Sequence, residues 1–405
     1  AVAVRASSEA DGAARAMGGS LSEAVGCVHQ MAGVINRGFR RLQPVASHHT
    51  ARRVSRAESQ MTDGVSAPPA PGRTAVLVLG MHRSGTSALT QVLALAGCDL
   101  PQNVMPGDEH NAKGYFEPWR IAIFNDQRLR AGRSAWDDPF VHPYAPLPPR
   151  EERRWITRAT DLFEEEFGPV PRPLMKDPRV TVLAPLWLTA IADLGLEACA
   201  AIPVRHPLEV AGSLAKRNGF PLEKSLLVWS AYMLAAERHS RGRRRAFVAY
   251  DALLSDWRSE LDRVDAELGR FLPERSARIE TAIDSFLTRE LRHNQADGDL
   301  AGAPLAGPLA AQVHGWMMEA CAGAAPDPSL LDEAAAKLAD LKSAVVCLVS
   351  PVTSDLDLAR YELLETRQLA AYEQTRLTEA IERAARLESA EAQLNAALDD
   401  LLGEA

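Results

Sequence analysis

Cysteine is scarce in this chain of 405 residues: five, at Cys27, Cys98, Cys199, Cys321 and Cys347. They are scattered, odd in number and never closely paired, which excludes a disulfide framework and a cysteine metal site. A reducing, cytoplasmic compartment is the expectation. Long apolar runs are missing too. Leu196 to Val204 is too short to span a bilayer and carries Glu197, so no transmembrane segment is expected. Nor is there an excess of positive charge. The 45 Lys and Arg face 53 Asp and Glu, a formal net charge of −8, which argues against nucleic-acid binding. An anionic ligand must then be attracted by local basic residues rather than by the whole surface. With 46% hydrophobic and 24% charged residues, the chain has enough apolar material for a large core.

Residues 1–72 lack lysine altogether and carry Arg5, Arg15, Arg37, Arg40, Arg41, Arg52, Arg53 and Arg56 among Ala, Ser and Gly. They read as a disordered or weakly helical leader, with one helix around Leu21 to Leu42, closed by the linker Ser66-Ala-Pro-Pro-Ala-Pro-Gly72. An organelle transit peptide is one reading, weakened by Glu9, Asp11 and Glu23. Translated sequence upstream of Met61 is another.

The richest segment is Val76-Leu-Val-Leu-Gly80-Met-His-Arg83-Ser-Gly85-Thr86-Ser87-Ala-Leu89. Thr74 to Leu79 is a short apolar, β-branched run, the pattern of a strand covered on both faces. Gly80 and Gly85 permit a tight loop, and a helix then opens at Thr86 and Ser87 and continues through Leu95. A glycine loop entering a helix N-terminus is an anion site, because unpaired N–H groups and the helix dipole face the ligand. A Walker A loop, GxxxxGK[ST], would put lysine where Thr86 stands, and here the positive charge sits inside the loop at Arg83, beside His82. A second run, Leu196 to Val204, ends in Arg205-His206-Pro207 and predicts a strand followed by a helix with Pro207 in its first turn and Gly219 near its end. Ser213 lies eight positions after Arg205. A strand-end arginine and a serine on the next helix can converge on one phosphate.

The pieces GMHRSGTSAL, HNAKGYFEPW, MKDPRV, RHPLEVAGSL and FVAYD followed by LLSDW resemble those of a bacterial sulfotransferase-family domain over about Arg73 to His293. The resemblance implies a P-loop-like α/β fold with a parallel sheet flanked by helices. It also implies 3′-phosphoadenosine 5′-phosphosulfate as co-substrate, no metal, and transfer of a sulfuryl group to a hydroxyl on a glycan, lipid or small metabolite. It would place His82, Arg83, Ser84, Gly85, Thr86 and Ser87 at the 5′-phosphosulfate and Arg205 and Ser213 at the 3′-phosphate. Tyr250, at the end of the strand Ala246 to Tyr250, would touch the adenine, and Arg292 in Arg289-Glu-Leu-Arg292 would lie near the 3′-phosphate.

The acceptor hydroxyl must lose a proton, which needs a carboxylate or imidazole within reach. Lys176-Asp177-Pro178 stands where some members of the wider superfamily have Lys-x-His, so the base is assigned to Glu117, with His110 competing. Lys176 would stabilise charge on the bridging oxygen. Asp177 and Arg179 also suit a local structural pair. Glu117 equally suits a helix start before Pro118. Two alternatives stay open: a nucleotide-dependent phosphotransferase, and a non-catalytic scaffold acting through a helical tail.

The remaining chain divides into the α/β domain, residues 73–300, and a mainly helical C-terminal extension, residues 301–405. Asp137 to Pro149 reads as a long loop, and by analogy with the family acceptor selection falls on it and on Tyr115 to Trp136. Helices are expected over Glu151 to Phe167 and Ser225 to Ser240. Ala301 to Ala325 reads as a fraying Ala/Gly/Pro-rich stretch. Ala344 to Val349 reads as a strand, between a helix from Ser329 towards Lys342 and helical sequence from Leu356 to Leu402. Leu387, Leu394 and Leu401 repeat at seven with Ala380 in register, a short coiled-coil pattern interrupted at Glu391. A dimer seam is one use for it.

Overall fold

The computed structural model describes residues 73–105, 114–287 and 299–403. The fold is α/β. Four strands, β1 (Thr74–Val78), β2 (Leu174–Met175), β3 (Glu197–Val204) and β4 (Arg245–Ala249), form a sheet in the order β2-β1-β3-β4. Every pairing is parallel. Helices connect the strands: α1 (Thr86–Leu95), α2 (Trp119–Ala131), α3 (Pro149–Phe167), α4 (Pro178–Val182), α5 (Ala184–Asp193), α6 (Pro207–Asn218) and α7 (Leu222–Ser240). After β4 come α8 (Tyr250–Ser255), α9 (Trp257–Leu268), α10 (Ala277–Phe286), α11 (Gly307–Cys321) and α12 (Ser329–Gly403).

The alternation of side chains along each strand divides the core in two. Ala75, Leu77 and Leu79 of the β1 run join Ala200, Ile202 and Val204 in one cluster, with Trp187 of α5 and Trp229 of α7. Val76 and Val78 join Cys199, Ala201 and Val248 in the other, with Leu89 and Val92 of α1 and Leu261 of α9. A sheet buried on both faces needs continuous apolar strands, which is why these runs do not alternate with polar residues. Cys98 and Cys199 sit in this core, and burial raises both thiols to the upper limit of their range or beyond.

Two expectations are corrected. The stretch from Ala301 does not fray: after a 3-10 turn at Leu300–Gly302, α11 buries Leu309, Ala310, Val313, Trp316 and Met317. Trp316 meets Phe247 of β4 edge to face, with ring centroids 5.6 Å apart. Gly307 makes the tight entry possible, since a side chain there would collide with the Leu300 carbonyl. Ala344 to Val349 is not a strand but part of α12. Val345, Val346 and Val349 pack on the core while Ala344, Cys347 and Leu348 face solvent, a helical spacing. Pro351 lies inside the same helix, so no amide reaches back to the Cys347 carbonyl.

One compact unit ends at Leu358, and the helix beyond belongs to a second. In that second unit Leu363, Leu364, Leu369, Leu377, Ile381 and Leu387 are exposed. The side chains of Leu394 and Leu401 lie outside the described residues. Among the described residues no helix is long and apolar enough to cross a membrane.

Trp316→Ala is expected to lower stability by about 3 kcal/mol, read from denaturant midpoints, because it empties a filled core position. A frayed α11 would leave the midpoint unchanged. The buried histidines set a pH dependence. His142 is pushed down to about 3, and His239 to about 4, first by burial and then by neighbouring cations. Their rings lie 5.8 Å apart. A folded-state value below that of the unfolded chain means the unfolded chain binds more protons. Stability is therefore complete above about pH 6.5 and falls as pH drops towards 4. Denaturation midpoints across that window should show the fall, and His239→Gln should flatten it.

Candidate functional site

The sheet order reverses direction around β1 and β3. The loops leaving their carboxyl ends therefore open into one crevice, the switch point at which parallel sheets bind ligands. The loop after β1 is residues 79–85, and α1 follows with no side-chain cap on its N-terminus. Two residues adopt left-handed backbone, Gly85 at φ 87° and Arg83 at φ 68°. At Gly85 any side chain would overlap the Tyr250 ring. At Arg83 the same geometry in a bulky residue costs on the order of 1 kcal/mol and turns the side chain toward α6. The loop is pinned from below. Thr181 accepts from the Gly80 amide at 2.8 Å and donates to the Gly80 carbonyl at 3.1 Å.

The two segments singled out by the sequence meet. Arg83 Nε donates to Ser213 Oγ at 2.8 Å, and Arg205 Nη1 donates to the Arg83 carbonyl at 3.2 Å. Arg205 is buried and paired through Nε with Glu209 at 2.8 Å, and its guanidinium lies over the Tyr250 ring at 4.7 Å. Its Nη2 is buried and has no partner among the described residues. Tyr250 opens α8 instead of closing β4, which lays its ring between Gly85 and Arg205.

A second cluster flanks the loop. Lys176, at the end of β2, donates to Glu117 Oε1 at 2.5 Å, to the Tyr115 carbonyl at 3.0 Å and to Ser87 Oγ at 3.2 Å. Glu117 Oε2 stands 3.9 Å from Arg179 Nη1, beyond hydrogen-bond reach. Arg179 binds Asp126 at 2.6 Å and Asp177 at 2.8 Å. Burial alone would lower its guanidinium, yet Asp126, Asp177 and Glu117 together hold it well above its ordinary value. Asp177 also caps α4 through the Arg179 amide.

His82 sits in the loop as a neutral ring, its Nε2 without a partner among the described residues. It is a buried ring set edge-on to Trp136, with centroids 4.7 Å apart, and near Tyr232. Burial, and then Arg179, Arg217, Lys176 and Arg83, hold its imidazole well below its ordinary value, so it adds no positive charge to the loop. Ser84 is fully buried, and its hydroxyl has no partner among the described residues. Thr86 is buried, with its methyl towards Gly80. His110 and Arg292 lie outside the described residues.

The sequence reading missed Arg217. It lies one helical turn after Ser213 on the same face of α6. Its guanidinium is 5.5 Å from the Trp136 ring centroid, and Nε donates to Asn218. Burial, followed by Arg83, lowers it. The i, i+4 spacing from Ser213 was the available signal. Arg83, Lys176, Arg179, Arg205 and Arg217 thus surround a loop whose acidic neighbours are Glu117, Asp126, Asp177 and Glu209. Such a set of donors suits an anion with several oxygens and has one carboxylate, Glu117, beside it.

No family model and no curated protein matches the chain. Among solved structures, it is similar to the sulfotransferase domain from the Synechococcus PCC 7002 olefin synthase, at 16% identity and a TM-score of 0.34, over 69% of this chain and 98% of that one. It is also similar to the sulfotransferase domain from the curacin biosynthetic pathway, at 15% identity and a TM-score of 0.32, over 67% and 98%. At such scores the likeness carries no weight, and the site stands on its residues.

Gly85→Ala is expected to lower stability by about 1 kcal/mol or more, because the new methyl displaces Tyr250 and strains the turn. Denaturant midpoints of both proteins check it.

Proposed function

We propose that the chain is a sulfotransferase that moves a sulfuryl group from 3′-phosphoadenosine 5′-phosphosulfate to a hydroxyl of a small-molecule, lipid or glycan acceptor. The observation that carries this reading is the closure of Arg83, Ser213 and Arg205 on one another across two distant segments. The donor has an anion at each end, and this site offers a helix N-terminus beside a buried arginine with an unused Nη2. Thr86 in the Walker lysine position favours sulfuryl over phosphoryl transfer, since the sulfuryl group carries less charge and needs less neutralisation.

In this reading the acceptor oxygen attacks sulfur while the bond from sulfur to the 5′-phosphate oxygen breaks, and its electron pair leaves with the bisphosphate. The acceptor proton passes to Glu117 Oε2, because Oε1 is already held by Lys176. Arg83 and the first turn of α1 hold the 5′ end, and Arg205 and Ser213 hold the 3′ end. Lys176 has three acceptors in place, so meeting the leaving oxygen requires it to release one. Ser87, at 3.2 Å, is the most distant of the three.

Arg205→Ala and Ser213→Ala are each expected to weaken adenosine 3′,5′-bisphosphate binding about tenfold or more without unfolding the protein. Equal affinity in wild type and both variants, by calorimetry, removes the assignment. Glu117→Gln is expected to cut acceptor-dependent release of the bisphosphate about a hundredfold or more while leaving donor affinity near wild type. The test uses a panel of hydroxyl acceptors and radiolabelled donor. Magnesium-dependent turnover of ATP in place of the sulfate donor would instead establish a phosphotransferase.

A further inference from the structure

A cavity of about 310 Å³ lies at the C-terminal end of α2, between the loop after α2, the end of α4 and α12. Glu117 precedes α2, whereas Arg128 and Leu129 near its other end line the cavity. At 1.5 Å per residue, the two places are separated by roughly 14 Å along the helix. The cavity is therefore no part of the reacting-group pocket. It lies within the compact unit that ends at Leu358. Arg130 fastens α2 to α12 through Asp357 at 2.7 Å, which keeps the cavity walls together.

Its lining is unequal in donors and acceptors. The floor is apolar, with Leu129, Phe140, Leu183 and Val346. The polar groups are mostly donors. Lys342 is half-buried, and no hydrogen bond or ion pair engages its ammonium among the described residues. Burial lowers that ammonium, and Asp138 opposes the shift only in part. Arg133 also lines the cavity, held with a left-handed backbone at φ 55°, and no carboxylate pairs with it among the described residues. Arg128 Nε and Ser350 Oγ are buried and without partners among the described residues. Asp138 is the acid in the lining, and its oxygens already accept from the Ser134 hydroxyl at 2.7 Å and the Phe140 amide at 2.9 Å. Arg128 is matched by Glu152 at 2.8 Å through Nη2, which leaves Nε unspent.

We propose that this cavity is a second small-molecule site, selective for a mainly apolar monoanion such as an arylalkanoic acid, with its carboxylate between Lys342 and Arg133 and its body over Leu129, Phe140 and Val346. The volume suits a molecule of about a dozen heavy atoms, at the lower end of small-molecule sites. A carboxylate supplies the acceptors that the lining lacks, and it relieves the half-buried ammonium of its missing partner. A neutral ligand of the same shape leaves those donors unmet, which is the basis of the selectivity.

The test is calorimetric titration of the full chain with 4-phenylbutyrate and with the uncharged 4-phenylbutanol. The acid should bind at least about tenfold more tightly than the alcohol. Lys342→Met and the exposed-site variant Arg133→Ala should each reduce acid affinity and narrow the difference from the alcohol, and Val346→Trp should abolish binding by filling the space. Arg83→Ala, in the phosphate loop, should leave acid binding unchanged. Equal affinity for acid and alcohol, or unchanged acid binding in both Lys342→Met and Arg133→Ala, would overturn the proposal. So would the absence of heat for either compound up to its solubility limit. Loss of acid binding in Arg83→Ala would move the anion to the phosphate loop and overturn it equally.

Discussion

The molecule depends on a guanidinium that is buried under a backbone turn. Arg205 leaves β3 at its carboxyl end and donates to the carbonyl of Arg83, which is itself turned into left-handed backbone. That bond acts with Arg83 Nε on Ser213 and with Thr181 on both polar atoms of Gly80 to hold the strained turn and the helix start behind it. Glu209, one turn along α6, accepts from the same arginine and keeps its charge from standing alone. A buried cation held on one side and open on the other is costly in an apolar setting unless something anionic completes it. In the proposed function the buried nitrogen Arg205 Nη2 is the donor left for the ligand.

The second cluster obeys the same rule with opposite emphasis. Lys176, Glu117, Arg179, Asp177 and Asp126 are nearly fully paired among themselves. Buried ion pairs of this kind add little net stability compared with apolar packing, but removing one partner costs several kcal/mol. Their value lies in position. They fix where Glu117 Oε2 points and keep a lysine within reach of Ser87. In the proposed transfer, a rigid carboxylate beside the loop is what proton abstraction next to a transferring group requires.

Much of this was legible in the residues. The β1 and β3 runs were continuous and apolar because both faces are covered, and Gly80, Gly85, Pro207 and Gly219 marked the turns and helix ends by their backbone requirements. Arg205 and Ser213 were readable because both belong to one strand–helix unit. The contact between Lys176 and Glu117 was not legible, since the two are 59 positions apart and only the folded sheet brings them together. His82 looked basic beside Arg83, but a residue name does not reveal that burial and four neighbouring cations will keep its ring neutral. Ala344 to Val349 looked like a strand because β-branched residues dominate it. Tertiary packing on alternate helical turns overrode that local preference. In α11 the abundance of Gly, Ala and Pro obscured Leu309, Val313, Trp316 and Met317, whose spacing is helical.

The sheet is also lopsided. Its outer ribbon on one side, β2, is a single pair of residues, Leu174 and Met175. On its outer side the Leu174 amide already donates to the Asp99 carbonyl, and the Asp99 amide to the Arg172 carbonyl, each at 2.8 Å, so little of a template for intermolecular pairing is left before the backbone turns away into Lys176 and Pro178. Full-length parallel strands invite such zippering when their rims are bare, and proteins often guard against it by trimming the outermost strand. Here the trimming coincides with the placement of Lys176, so the same early exit from the ladder that blunts self-association also delivers an ammonium group to the crevice.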